Sequence, residues 1–525
     1  MLDRFRSKRA APRAASADGT RPTAVALLLA ALAGGASLFT FAPFGWWPLQ
    51  FLLLAYFFYQ LGRSTSVKRA AWIGWAFGFG WCVAGMHWLY IAIHRFGGVS
   101  APLAALAICL LGLYMGLFGA FAASVSTWLR RRWSLPLPAF FLIVLPVFWG
   151  VSEWMRGWVF TGFPWASSGY AHNAAPLGGY AALVGVYGIG ILVGVCAGCI
   201  TLLTQPHRRV PAIGLLVVVL GAGWGLRAID WTQPSGQPIS VRLLQGDIRQ
   251  DEKFDTEHLL AILARYQTLI EAAPADLIAT PETAVPIWEQ SLPPGYVAGL
   301  RAWTVNSGSA LMLGIPLANS ETDYANSVVG FSANGQPYSY DKHHLVPFGE
   351  FVPTGFRWAT DLMQIPLGEN RRGAPVQAPF AVKDQLVLPN ICYEDVFGEE
   401  IAAQLRTERP ATLLLNVSNL AWYGESVAIP QHLQISQMRS LETGRPMLRS
   451  TNTGATAIID AKGHVVAQLP FYGQGVLSAR VQGMTGMTPF IRFGSFGFLV
   501  LGAIALFGAW FSGRRYARAM NAPSM

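Results

Sequence analysis

The stretch LVLPNICYEDVFG, residues 386–398, places a cysteine between an apolar run and acidic residues. The run has the composition of a buried strand, and Cys392 stands where that strand would end. Loops held at the ends of sheet strands are favoured positions for catalytic and binding residues. Cys392 is also the only cysteine between Asp230 and Arg492. This part of the chain therefore carries one thiol without a disulfide partner, at a place suited to chemistry.

Strand and helix patterns alternate on both sides of this stretch. Strands are predicted at ISVRLLQGDI (239–248), DLIATPET (276–283), ALMLGIPLA (310–318) and ATLLLNVSN (411–419). A long amphipathic helix is predicted at 255–273, and further helices are predicted at 297–308, 397–409 and 430–444. Strands that alternate with helices, together with a hairpin pattern near residue 335, predict a layered α/β domain.

The rest of the chain is much less polar. Hydrophobic residues make up 53% of the sequence and charged residues only 13%, about half the quarter expected of a soluble domain. Such a chain needs lipid as a solvent for part of its length. The predicted organisation is a basic tail at 1–21, a membrane domain at 22–228, an α/β catalytic domain at 229–490, an eighth span at 493–512 and a tail at 513–525. The seven spans of the membrane domain are expected at about 22–41, 48–61, 70–94, 102–129, 137–152, 179–203 and 210–228.

The basic residues indicate how the spans are oriented. The net charge is +10, but within 230–492 acidic residues outnumber basic ones. The excess of Lys and Arg lies in alternate short connections and in both tails, which the positive-inside rule places in the cytoplasm. We therefore expect a multi-pass protein with both termini cytoplasmic and the domain 229–490 outside, and no nucleic-acid partner. Trp88, Trp154 and Trp165 are expected to be anchors at the membrane interface.

A cysteine nucleophile needs a base to take its proton and a positive group for the oxyanion formed at the carbonyl. Glu282 and Lys342 both follow predicted strands. Glu282 could be the base, and Lys342 could lower the thiol's pKa from about 8.5 and carry the oxyanion charge. An acid, a lysine and a thiol occur in most domains of this size, so spacing alone leaves the assignment open.

Other polar residues near this set have simpler interpretations. His343 and His344 lack an acid or cysteine at metal-ligand spacing, so we expect neither a metal nor a cofactor. Asp395 and Glu399 are expected to be solvated or to cap a helix.

Local sequence around the three residues narrows the choice. PETAVP (281–286), YDKHHLVPFGEFVP (340–353) and ICYEDVF (391–397) resemble the Glu, Lys and Cys motifs of the nitrilase superfamily, whose members share an αββα sandwich. FAPFGWWPL (41–49), GFPWASSGYAH (162–172) and NVSNLAWYGES (416–426), with the spans, make nearly the whole chain resemble the bacterial apolipoprotein N-acyltransferase family.

The resemblance implies a reaction. Members move an acyl chain from a phospholipid, typically phosphatidylethanolamine, through a cysteine thioester to the α-amine of the N-terminal diacylglyceryl-cysteine of an apolipoprotein, at the bacterial inner membrane. Carried over by motif, Glu282 is the general base, Lys342 the oxyanion and orientation group, and Cys392 the nucleophile. The supporting residues implied are Glu350 as a second acid, Tyr393 and Glu394 after the nucleophile, Trp422 in the AWYG loop and Phe254.

The chain departs from the family pattern at two positions. Phe254 stands where many members have Trp, which keeps an aromatic side chain. Leu420 stands where they have an acid, which puts a role for that acid in doubt here. The apolar stretch 351–370 is interpreted as an interfacial loop that gates the pocket, or as a loop that caps the core.

Two other functions remain open. A membrane-tethered hydrolase of the nitrilase type would use the same three residues and pass the acyl group to water. An eight-span bundle is larger than a tether requires, which favours the acyltransferase. A receptor or scaffold would make no use of the lone thiol.

Overall fold

The computed structural model describes residues 22–64, 66–320, 323–333, 335–357 and 370–520. Its first part is helical, and all the predicted spans coincide with helix. The helices of this part, with the one that returns at the end of the chain, are Ala24–Gly35, Trp47–Gly62, Val67–Gly85, Leu89–Ile91, Ala101–Arg132, Leu137–Ala139, Leu145–Arg156, Ala181–Leu202, Arg209–Leu226 and Phe496–Met520. Large apolar side chains on their outer faces are exposed, as expected of helices that face lipid.

Fewer helices than expected are long enough to span a membrane. Among the described residues, five helices are long and apolar enough to cross a membrane, and the pair Val67–Gly85 and Leu89–Phe96, bent by 62°, could form a sixth. The helix Trp47–Gly62 has 16 residues and so reaches about 24 Å, short of a hydrocarbon core of about 30 Å. The count of eight is therefore not confirmed.

Close helix contacts in this part depend on small residues. Gly74 on Val67–Gly85 faces the backbone of Gly119 on Ala101–Arg132, and a side chain at either position would collide with the other helix. Small residues let membrane helices approach closely enough for dense packing.

The strands of the second part are β1 Gln233–Pro234, β2 Ile239–Gln245, β3 Leu277–Ala279, β4 Ala310–Ser320, β5 Asp323–Phe331, β6 Tyr338–Asp341, β7 Phe380–Val382, β8 Gln385–Ile391, β9 Leu413–Ser418, β10 Met447–Thr451, β11 Ala457–Ile459, β12 Val465–Gln468, β13 Gly475–Val481 and β14 Met484–Thr485. Twelve of these described strands form two six-stranded sheets, ordered β13-β2-β3-β4-β5-β6 and β12-β11-β10-β9-β8-β7. The centre of each sheet is parallel, through β2-β3-β4 and β8-β9-β10.

The sheets and helices form four layers. One apolar core lies between the sheets, where Val241 and Leu243 of the first sheet meet Leu413 and Leu415 of the second. The helices Leu259–Glu271 and Tyr296–Ser307 cover the outer face of the first sheet. Gly398–Gln404 and Ala428–Thr443 cover that of the second. The predicted αββα sandwich is confirmed.

The sandwich rests on the helical part through the helix Ala428–Thr443. Trp165 donates from Nε1 to Oε1 of Gln431 at 2.8 Å, and its ring stacks on His432 with centroids 5.6 Å apart. Trp88 packs against Trp165 with ring centroids 4.8 Å apart. Both tryptophans are buried, so the expectation that they are membrane-interface anchors is wrong for these two. They join the two parts of the molecule.

Candidate active site

Cys392 lies at a sharp turn between a strand and a short helix. It follows the last residue of β8 and opens the 3₁₀ helix Cys392–Val396. Its φ is +53°, in the left-handed region that non-glycine residues adopt at a cost of about 1–3 kcal/mol when the surroundings hold them there. The side chain is partly buried at this turn.

Glu394 supplies the contacts that hold the turn. One of its oxygens accepts from the backbone N–H of Ile391 at 2.6 Å and from the Tyr340 hydroxyl at 3.0 Å. The other accepts from the backbone N–H groups of His343 at 2.7 Å and His344 at 3.2 Å. This buried carboxylate therefore ties the Cys392 turn to the segment that carries Lys342.

Three charged side chains, which we name the acid–lysine cluster, lie beside the turn: Glu282, Lys342 and Glu350. Lys342 Nζ is 2.8 Å from Glu350 Oε1 and 3.4 Å from Glu282 Oε1. Asn326 Nδ2 donates to the same two carboxylate oxygens at 3.1 and 2.8 Å. Glu282 and Lys342 follow strands, as predicted, and Glu350 lies in the loop after Lys342. The fold brings the three together from positions up to 68 residues apart.

The other oxygen of Glu282 is also fixed. Its Oε2 accepts from the backbone N–H of Asn419, after β9, at 2.8 Å. Because Asn326 holds one oxygen and Asn419 the other, the carboxylate is oriented before any substrate arrives. A preorganised base of this kind is what proton transfer requires.

The three reacting groups shift one another's pKa. Burial alone would raise the pKa of Glu282, but the charges of Lys342 and Lys253 and the hydrogen bonds above lower it below its usual value. Burial alone would lower the pKa of Lys342, but Glu350 and Glu282 raise it above its usual value. The acid is thus held ionised and the lysine protonated.

The pKa of the Cys392 thiol is shifted in the direction that favours its neutral form. Burial raises the pKa of Cys392, the charge of Glu282 raises it further, and Lys342 opposes both. Lys342 acts in the expected direction, but the expected net lowering is wrong. The site therefore holds a neutral thiol next to an ionised carboxylate, and the proton has to move when the sulfur attacks.

The remaining predicted residues are placed differently from one another. Tyr393 points away from the acid–lysine cluster, and its hydroxyl donates to the carbonyl of Gly162 at 2.9 Å. Phe254 and Trp422 are exposed aromatics, and Trp422 lies edge-on to Phe96 with centroids 6.0 Å apart. Leu420 is buried in the core under the second sheet, where an apolar side chain fits. Residues 358–369 of the proposed gating loop lie outside the described residues.

Sequence reasoning missed several side chains at the site. Lys253 is 2% exposed and donates from Nζ to the Glu282 carbonyl at 3.0 Å. Asn326 and Asn419 orient the Glu282 carboxylate. Tyr423 packs with Cys392 over the same core. The signals for Lys253 were its place just after a strand pattern, a position the other site residues share, and its place beside Phe254 in a segment that resembles the family.

A second group of buried charge lies on the other side of the turn, and we name it the docking cluster: Asp395, Ser436, Arg439, Glu442 and Arg449. Arg449 Nη1 is 3.1 Å from Asp395 Oδ2, and Arg439 Nη2 is 3.0 Å from Glu442 Oε2. All five are fully buried. The expectation that Asp395 is solvated or caps a helix is wrong.

His432 joins the docking cluster to the nucleophile. Arg449 Nη2 lies 3.1 Å from its Nδ1 and can only donate, so Nδ1 accepts. Nε2 therefore carries the proton and donates to the carbonyl of Cys392 at 3.3 Å.

Comparisons with known proteins cover both parts of the chain. Residues 33–199 match the apolipoprotein N-acyltransferase N-terminal domain family, and residues 240–490 match the carbon–nitrogen hydrolase family. The chain is 48% identical to the apolipoprotein N-acyltransferase of Ralstonia nicotianae, over 93% of both chains. It is 42% identical to that of Nitrosomonas europaea, over 93% of this chain and 98% of the relative. It is 39% identical to that of Bordetella bronchiseptica, over 92% and 96%.

Proposed function

This chain belongs to the apolipoprotein N-acyltransferase family, and on that premise we propose that it moves an acyl chain from a phospholipid, through a thioester on Cys392, to the α-amine of the N-terminal diacylglyceryl-cysteine of lipoproteins. It is a membrane protein with a carbon–nitrogen hydrolase domain. The observation that carries the proposal is a neutral thiol at a strained turn beside an oriented, ionised glutamate and a buried lysine.

In the first half-reaction the thiol proton passes to Glu282 as the sulfur bonds to the ester carbonyl carbon of the phospholipid. Lys342 faces the charge that develops on the carbonyl oxygen, and a fixed cation in a buried site stabilises that charge strongly. When the tetrahedral intermediate collapses, the C–O bond breaks and the departing lysophospholipid oxygen takes the proton from Glu282. The enzyme is left as a thioester.

In the second half-reaction the neutral α-amine of the acceptor attacks the thioester carbon. Glu282 takes a proton from the nitrogen, the C–S bond breaks, and the leaving sulfur takes that proton from Glu282, which regenerates the thiol and the carboxylate. Splitting one acyl transfer into two steps lets one lipid leave before the other enters. Water has to be excluded in between, since hydrolysis of the thioester would release a free fatty acid.

Both substrates carry acyl chains, and each CH₂ moved from lipid into water costs about 0.8 kcal/mol. The site therefore has to open at the edge of the bilayer. Tyr393, Val396 and Phe397 lie in the same apolar core as the membrane helices, which supports that position. We assign the protein to the bacterial inner membrane, with the domain 229–490 periplasmic and both tails, 1–21 and 513–525, cytoplasmic. Basic residues in alternate connections support this topology.

Supporting roles follow from the contacts and from the family resemblance. Glu350 holds Lys342 in place, and Glu394 holds the Cys392 turn. Tyr393 anchors that turn to the helical part. Phe254 and Trp422 offer exposed aromatic surface for acyl chains. Phosphatidylethanolamine is the proposed donor.

The test is a two-step mass measurement on the purified full chain. Incubation with phosphatidylethanolamine vesicles should add one acyl mass to Cys392, and a diacylglyceryl peptide should then remove it and gain the same mass. Cys392→Ser should abolish both, while Cys109→Ser, at an exposed position on Ala101–Arg132, should leave them unchanged. Free fatty acid without acylated peptide would favour the hydrolase, and a thiol that never gains an acyl group would overturn the proposal.

A further inference from the structure

Lys253 is a second buried lysine at the same site. It lies in the turn after β2, where its backbone N–H donates to the carbonyl of Arg249 at 3.0 Å. Its side chain is 2% exposed, and Nζ lies 3.0 Å from the backbone carbonyl of Glu282. Lysines are almost never buried to this degree unless they are paired. One neutral carbonyl is a poor partner for a buried ammonium, so the charge must be balanced by something else nearby.

The balance is found in the side chains around it. Glu282 and Glu350 are two carboxylates, and Lys342 is one ammonium that contacts both. These three alone would carry a net negative charge in a buried site, which opposes any further negative charge on the sulfur. With Lys253 these four charges sum to zero, while the nearby Glu394 carboxylate is compensated by its own four donors. The proton can then pass from Cys392 to Glu282 within a neutral set.

We propose that Lys253 is a positioning residue for the acyl transfer: it fixes the main chain of Glu282, and its charge offsets the second carboxylate so that the sulfur can become negative. The inference rests on the proposed function and adds a residue to it. In support, burial lowers the pKa of Lys253 to about 8, while Glu282 and Cys392 act to raise it. Lys253 is therefore mostly charged at neutral pH and interacts with both reacting groups.

A purely structural lysine would need only its hydrogen bond to the Glu282 carbonyl. Lys253→Gln keeps a donor without the charge, and Lys253→Arg keeps both. Lys462, an exposed lysine paired with Asp230 at 2.8 Å, provides the matched control Lys462→Gln. Melting temperatures of all variants should be compared first, and rates should be expressed per folded protein.

The first experiment measures alkylation of Cys392 by iodoacetamide at pH 7 in the full-length protein in detergent, read as peptide mass. Below the thiol's pKa the rate follows the thiolate fraction, and one pKa unit changes that fraction about tenfold. Lys253→Gln should slow alkylation about tenfold or more, whereas Lys253→Arg and Lys462→Gln should stay near the wild-type rate. The same order is expected for acylation by phosphatidylethanolamine vesicles.

Alkylation needs no lipid, so it separates this inference from the proposed function. If wild type is alkylated but never acylated, the proposed function fails and the Lys253 comparison can still be read. If Cys392 of the Lys253→Gln variant were alkylated at the wild-type rate, the inference would be overturned. Equal slowing of Lys253→Gln and Lys253→Arg would also overturn it, because shape and not charge would then be what matters.

Discussion

The acid–lysine cluster and the docking cluster are both buried groups of charge, and they flank the same turn. In the docking cluster each charged side chain is opposed by a neighbour, and Glu442 also accepts from the backbone N–H of Val186 of the helical part at 2.8 Å. In the acid–lysine cluster two carboxylates share one lysine through the same kind of contact, next to a thiol. Of the two clusters, only the acid–lysine cluster acts directly on the Cys392 thiol.

The difference shows that burial of charge does not by itself identify an active site. A sealed ion pair costs desolvation and mainly specifies how parts dock. Chemistry requires a nucleophile, a base whose charge is maintained, and an approach for the substrate. The docking cluster has none of these, yet through His432 it holds the backbone of Cys392. One cluster acts on the sulfur and the other on the main chain that carries it.

Among changes that leave the nucleophile in place, the largest effect should come from Glu282→Gln. Glutamine keeps an oxygen for the Asn419 N–H but cannot accept the thiol proton, and loss of a general base costs about 10²–10⁴-fold in rate. Single-turnover acylation of Cys392 by phosphatidylethanolamine vesicles, expressed per folded molecule, should fall by that factor. Acylation at close to the wild-type rate would remove Glu282 from the proposed mechanism.

Arg449→Met tests the opposite behaviour in the docking cluster. The variant leaves Asp395 buried without its cation, and such a change costs about 3–5 kcal/mol of stability. The melting temperature in detergent should fall clearly, while acylation per folded molecule changes only a few-fold. A stable but inactive Arg449→Met would contradict the division between the two clusters.

Glu394→Gln should give an intermediate effect. Glu394 accepts four hydrogen bonds, two on each oxygen, and an amide offers only one oxygen. A hydrogen bond to a charged group contributes about 1.5–3 kcal/mol. If the displaced Cys392 turn raises the barrier by the worth of one such bond, kcat should fall about 10–100-fold with little change in KM for the phospholipid. A change confined to KM would instead place Glu394 among the substrate contacts.

The smallest effect is expected from mild acid. Because the folded site lowers the pKa of Glu282, its carboxylate stays ionised below the usual value and is lost only as the pH falls through the lowered one. Acylation should therefore change by less than about twofold between pH 7 and pH 5. A tenfold loss over that range, measured on vesicles of constant composition, would mean that the base titrates at a raised pKa.

Much of this protein could be predicted from local sequence. The change from long apolar runs to alternating strands and helices separates the two parts, because hydropathy and periodicity belong to contiguous segments. The motifs around Glu282, Lys342 and Cys392 identify the three residues that the fold then brings together. The family resemblance supplies their roles, which no spacing rule could have done.

Three features could not be predicted in this way: the number of helices long enough to span a membrane, the burial of Asp395, and the presence of Lys253 at the site. These features depend on which distant segments meet in the fold. For example, the backbone N–H of Asn419 donates to Glu282, which lies 137 residues earlier in the chain. The direction of the Cys392 pKa shift is of the same kind, because it is a balance between burial and three charges from distant strands. Sequence by itself determined which residues are present at the strand ends. Only the tertiary structure decided their charges and partners, because desolvation and Coulomb energy depend on distances in space and not on separation along the chain.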